Sequence, residues 1–250
     1  MAVFYIDQNI VIDHATDERI VNAVTALRSG GALFPFSPAH LEEVSKAHAL
    51  RRGAPIADQI RNLTDISRGL AIMPVEGGPA EFRREDVLAG LTRVWDGDGR
   101  ALTEWAVSWE RARIAGYVAP GAEKAAEATR EKVRKCHWTK VFSEPHVLEH
   151  VDHLAREHGF RLRTSTFQDR ERTLSTLFDV LNAFGFKAEH AAKHIENRVH
   201  DVSHAIYASY ADVFVTNDDK LRDTTKAVYQ RCGFEVEILD REQFLAHAGA

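Results

Sequence analysis

Apolar residues are spaced one way at the two ends of this chain and another way through its middle. Residues 2–6, Ala-Val-Phe-Tyr-Ile, form a short unbroken apolar run that stops at Asp7, the pattern of a buried parallel strand. Ile20, Val21, Val24 and Leu27 then recur at helical spacing, and Gly30-Gly31 closes that helix. A second apolar run, residues 32–36, leads to Ser37-Pro38, where Pro38 suits the first turn of a helix. Pro35 lies inside this run and weakens it, since proline cannot donate to a sheet ladder.

From about residue 55 to 199 the pattern reads as helix after helix. Residues 85–95 place Val87, Leu88, Leu91, Val94 and Trp95 on helical turns, and residues 102–114 set Trp105 and Trp109 one turn apart. Further helical patterns cover 122–133, 145–157 and 168–183, and the only strand signal in this stretch is residues 70–75. The end of the chain alternates again. A helix over 197–210 precedes a strand at 212–215, a helix through Leu221, Val228 and Tyr229 ends at Gly233, and residues 234–239 form a last strand. Such alternation predicts an α/β fold with a small parallel sheet of four or five strands joined by right-handed crossovers. Residues 1–50 and 195–250 are expected to make one discontinuous domain, with 51–194 as a large helical insertion.

Composition narrows this picture. The 250 residues are 44% hydrophobic and 28% charged, enough for a substantial core. No apolar stretch has the length of a membrane span, and the opening residues lack the basic-then-apolar pattern of an export signal. Cys136 and Cys232 supply neither a disulfide framework nor a four-cysteine zinc site, so a cytoplasmic location is expected. The thirteen histidines show no zinc-protease spacing. A net charge of −5 excludes a protein that coats nucleic acid by overall positive potential, but not one with a local basic groove.

Ligands of open parallel sheets bind beyond the carboxyl ends of the strands. Asp7 directly follows the first strand and Asp218 lies just past the strand at 212–215. Glu43 falls in the helix after the second apolar run, and Asp201 near the start of the helix before the later strand. Gathering carboxylates costs repulsion and desolvation, and the usual compensation is a hard divalent cation. Mg²⁺ or Mn²⁺ would keep waters and leave room for a phosphate oxygen. Asn9, Thr216 and Asn217 suit the layer that orients such carboxylates, with His204 as a packing or hydrogen-bonding neighbour. Asp219 and Asp223 stand in reserve, Asp219 more as a helix cap.

These residues resemble the PIN nuclease domain family. The resemblance rests on the apolar strand followed by Asp7-Gln8-Asn9, on Ser37 followed six residues later by Glu43, and on Asp201-Val202-Ser203-His204 upstream of Thr216-Asn217-Asp218. It covers roughly residues 1–50 and 195–247, and the long middle stretch departs from compact members. The resemblance implies a three-layer α/β/α fold and an endoribonuclease that hydrolyses RNA phosphodiesters. Asp7, Glu43, Asp201 and Asp218 would be its catalytic and metal-holding residues, with one or two Mg²⁺ or Mn²⁺ ions. Many members are toxins held by an inhibitory antitoxin-like partner; the long middle stretch disfavours the small-toxin role here, so such a partner and a homo-oligomer both stay open. RNA-contacting candidates are the basic runs containing Arg130, Arg134 and Lys135, and Arg161 and Arg163.

The rival reading is a PIN-like scaffold that binds RNA or a partner protein without cutting. Each acid has an ordinary alternative: Asp7 and Asp218 as caps, Glu43 as a solvated surface residue, Asp201 as a helix-dipole partner. The tryptophans read as helix packing. A nicotinamide dehydrogenase lacks its Gly-x-Gly-x-x-Gly after the first strand, and an aspartyl-nucleophile phosphatase would need Asp where Asn9 stands.

Overall fold

A computed structural model describes residues 1–49, 56–96, 123–157, 159–187 and 195–249. Strand β1 (Phe4–Ile6) runs into α1 (Gln8–Asp13) and α2 (Glu18–Ser29). Helices α3 (Pro38–Ala49) and α4 (Ile56–Ser67) lead to β2 (Leu70–Met73) and β3 (Glu81–Arg84). Then come α5 (Val87–Asp96), α6 (Glu123–Arg134), a 3₁₀ segment (Trp138–Ser143), α7 (Pro145–Glu157), α8 (Phe167–Ala183) and α9 (Ile195–Ala208). The chain closes with β4 (Val213–Val215), α10 (Asp219–Cys232), β5 (Glu237–Leu239) and α11 (Arg241–Ala248). The fold is mixed α/β and mostly helical. Among the described residues no helix is long and apolar enough to cross a membrane.

The two ends of the chain build the parallel sheet, in the order β1-β4-β5. Tyr5 sits opposite Phe214, and Phe214 opposite Ile238. Strand periodicity sends successive side chains to opposite faces. Phe4, Ile6, Val213, Val215 and Leu239 therefore enter one apolar cluster, together with Ile10, Val24, Leu41, Leu63 and Phe244. Tyr5, Phe214 and Ile238 enter the other, with Val133, Val147, Leu174, Leu177 and Val228. Apolar clusters thus cover both faces of the sheet, which is why its strands read as continuous apolar runs. Helices from the middle of the chain enter both of these clusters together with the strands from its ends.

Among the described residues the parallel sheet has three strands, not the expected four or five. The missing one is the 32–36 run. Leu33 makes a single parallel bridge to Val3, and Phe36 a single bridge to Ala71. On one side the Phe4 N–H donates to the Leu33 carbonyl at 2.8 Å; on the other the Ile72 N–H donates to the Phe36 carbonyl at 2.8 Å. Pro35, between the two bridges, has no N–H to continue either ladder. The segment joins the parallel sheet to the antiparallel β2–β3 pair without becoming a strand itself. The strand signal at 70–75 corresponds to β2, but β3 had no signal because Glu81, Phe82, Arg83 and Arg84 are all exposed, as suits an edge. The expected helix over 102–114, with Trp105 and Trp109, lies outside the described residues.

Candidate functional site

Parallel pairing of Ile6 with Val215 brings the carboxyl ends of β1 and β4 side by side. The residues that follow, Asp7 and Thr216, meet across 209 positions of sequence: the Thr216 hydroxyl donates to Asp7 Oδ2 at 2.9 Å. Asp7 is 4% exposed and Thr216 fully buried. Asp7 also caps α1, accepting from the Gln8 N–H at 2.8 Å, and the Asn9 amide reaches its Oδ2 at 3.3 Å. The Thr216 hydroxyl in turn accepts from the Asp218 N–H at 3.2 Å. Asp218 caps α10, accepting at Oδ1 from the Lys220 and Leu221 N–H groups at 2.8 and 2.9 Å. Both strand-end acids thus fill the cap roles that Asp favours, and both also face one edge of the sheet.

Helices α3 and α9 bring the other two acids. His204, on α9 one turn beyond Asp201, points its Nε2 between Glu43 Oε1 at 3.6 Å and Asp7 Oδ1 at 3.8 Å. These are ion-pair distances, longer than hydrogen bonds. Behind it, His204 Nδ1 lies 2.8 Å from the Tyr5 hydroxyl, which is 2.6 Å from Ser37 Oγ and 3.4 Å from His40 Nδ1. His40 Nε2 is 2.8 Å from the Ile6 carbonyl, and the Ser37 N–H donates to His40 Nδ1 at 3.1 Å. All of Tyr5, Ser37, His40 and His204 are buried.

The electrostatics tie the four acids together. Burial raises the Asp201 carboxyl well above its ordinary range, and the carboxylates of Asp7, Asp218 and Glu43 push it further against the opposing pull of His204. Burial likewise raises Asp7, with His204 opposing and Glu43 adding. For Glu43, burial would raise the carboxyl, but the His204 imidazolium outweighs it and holds it at about 2. Burial would lower His204, yet Glu43, Asp7 and Asp201 carry it to about 9. Burial and the neighbouring His204 charge press His40 down to about 3, so it stays neutral. The His204 imidazolium faces the Glu43, Asp7 and Asp201 carboxyl groups. Glu42, beside Glu43, belongs to the same field: burial raises it to about 7.

The reserve acids are engaged elsewhere. Asp223 accepts from Lys187 Nζ at 2.7 Å, and Asp219, largely exposed, pairs with Arg222. Asn217 is exposed beside Asp218. Of the candidate RNA contacts, Arg130 donates to the Ala183 carbonyl at the end of α8, and Lys135 pairs with Glu131 at 2.7 Å. The Arg134 side chain lies against Gly185, while Arg161 and Arg163 are exposed ahead of α8. Sequence reasoning missed Tyr5 and His40. A tyrosine inside an apolar strand carries no signal beyond packing, whereas His40 had one: it stands three residues before Glu43, on the same side of α3.

Among the described residues, no three His, Cys, Asp or Glu side chains already stand together as a metal-holding group. The donor chemistry nevertheless fits a hard divalent cation: all four acids are oxygen donors, and burial and the Asp7, Asp218 and Glu43 carboxylates together raise Asp201. No family model, curated protein or solved structure matches this chain.

Proposed function

We propose that this protein is a metal-dependent nuclease of PIN type, an endoribonuclease hydrolysing RNA phosphodiesters at the edge where β1 and β4 end. The observation that carries the reading is the gathering of acids where β1 and β4 end. The Thr216 hydroxyl holds Asp7, and His204, one turn beyond Asp201, stands 3.8 Å from Asp7 and 3.6 Å from Glu43. Burial and the Asp7, Asp218 and Glu43 carboxylates raise the Asp201 carboxyl. A fold gathers such charge at a cost, and a cation offsets it. Asp7, Glu43, Asp201 and Asp218 would hold Mg²⁺ or Mn²⁺, which when bound supplies an acidified water and charge neutralisation at phosphorus. Thr216 and Asn9 fix the Asp7 carboxylate through its Oδ2, and Asp218 makes its cap bonds through Oδ1. His204 balances Asp7 and Glu43.

A second reading, a scaffold that binds RNA or a protein without cutting, is favoured by one observation: among the described residues no three His, Cys, Asp or Glu side chains stand together as a metal-holding group. Calorimetric titration with Mn²⁺ separates the two. Wild-type protein is expected to bind Mn²⁺, and Asp7→Asn and Asp218→Asn are each expected to weaken binding at least about tenfold, about 1.4 kcal/mol. RNA cleavage should follow the same order and stop in EDTA. Wild-type protein that binds no Mn²⁺ at millimolar concentration, with or without RNA, would leave the scaffold reading in place.

A further inference from the structure

Next to Asp218 the surface forms a recess of about 340 Å³, lined by Asn9, Ile12, Asp13, Asn217 and Asp218. Its volume falls at the small end of ligand pockets, which span about 300–1,000 Å³. Ile12 is the unusual member. Its neighbours on α1, Ile10 and Val11, are fully buried, but Ile12 is 42% exposed and contributes to this recess instead of the core. Exposed apolar side chains are ordinary when scattered; this one lies in a recess that also contains a candidate catalytic acid.

The polar lining consists of two carboxamides and two carboxylates. The Asn9 amide nitrogen turns toward Asp7, which leaves its carbonyl oxygen as an acceptor. Asn217 is exposed and carries both a donor and an acceptor. Asp13 is offset by Arg241, 3.7 Å away, and Asp218 spends Oδ1 on the α10 cap. Ile12, the one apolar residue of the five, lies beside two carboxamides, which suits a flat, uncharged ring with hydrogen-bonding edges. A phosphate there would instead meet carboxylates.

Resting on the nuclease reading above, we propose that this recess seats a nucleobase of the RNA strand next to the phosphodiester being cut. Ile12 meets the face of the ring, and Asn9 and Asn217 read its edge. Bases of single-stranded RNA are free to be splayed out in this manner. The recess therefore determines which nucleotide flanks the cut and requires an unpaired base there.

The test compares Mn²⁺-supported cleavage of the four homopolymeric RNA decamers with that of oligomers carrying an abasic ribose at each position in turn. Wild-type protein, Ile12→Ala and Asn217→Ala are measured side by side, with melting curves as the folding control. Wild-type protein is expected to prefer one or two homopolymers and to cut at least one abasic oligomer about tenfold less efficiently. Both substitutions should raise KM on the preferred homopolymer by about fivefold to tenfold and shrink the penalty for the missing base. Equal cleavage of all homopolymers and abasic oligomers, unchanged by either substitution, would overturn the recess and leave the nuclease intact. No cleavage of any oligomer by wild-type protein would overturn the nuclease reading, and the recess with it.

Discussion

The Tyr5 hydroxyl lies at the centre of the buried polar group beneath the acids. Its partners are Ser37 and His204, with His40 at longer range. Replacing it with phenylalanine keeps the ring in the core and removes only the oxygen, so Tyr5→Phe isolates the network from the packing. Ser37 keeps His40 at 3.2 Å, but His204 Nδ1 loses the partner the structure gives it. Stranding a buried polar atom costs about 1–3 kcal/mol, and urea denaturation should register a loss of that order. The imidazole resonances of His204 should shift as well, because the ring would no longer be held toward Asp7 and Glu43. A Tyr5→Phe protein with unchanged stability and unchanged histidine resonances would mean that the hydroxyl does not hold His204 in place. Nothing in the apolar run of residues 2–6 marks Tyr5 for such a role, whereas Asp7 is legible simply by standing where that run stops.

At the scale of elements, caps and strand ends coincide. Asp218 both begins α10 and stands at the candidate site. Asparagine caps a helix about as well as aspartate, while alanine does not. Asp218→Asn should therefore keep the stability of the wild type within a few tenths of a kcal/mol, and Asp218→Ala should lose about 1 kcal/mol in thermal or urea unfolding. Both should lose Mn²⁺ binding. Equal stability of the two variants would mean that the cap bonds to Lys220 and Leu221 contribute nothing. Helix starts of this kind were readable from the chain. The outcome for residues 32–36 was readable only in part: Pro35 signalled a weak strand, but nothing local revealed that the segment would bridge two sheets.

Across the whole molecule the acid cluster should make metal-free protein sensitive to rising pH. His204 is held at about 9, so its favourable charge is fully present below its ordinary 6.5 and is lost as pH climbs through 9. Asp201 prefers its protonated form when folded, so the stability it contributes at low pH is lost as pH rises from 3.8 through its raised value. Glu43 acts in the other direction, contributing above 4.5 and losing that contribution as pH falls through about 2. In EDTA the melting temperature is expected to fall between pH 6.5 and 9, on the order of 5 °C. Saturating Mn²⁺ should restore it, since a ligand of the folded state stabilises that state. A melting temperature flat across this window would deny the cluster its coupling.

The order of apolar runs and helical periods, the acids at strand ends and the caps could all be read from the chain, because each depends on residues a few positions apart. Tertiary structure alone decided that β1 and β4 are neighbours, joining Asp7 to Thr216 across 209 residues. It also decided that His204 stands between Glu43 and Asp7, and that Ile12 faces a recess instead of the core. Those facts follow from burying both faces of a three-stranded sheet at once, and no local pattern records which strands and helices will meet to do so.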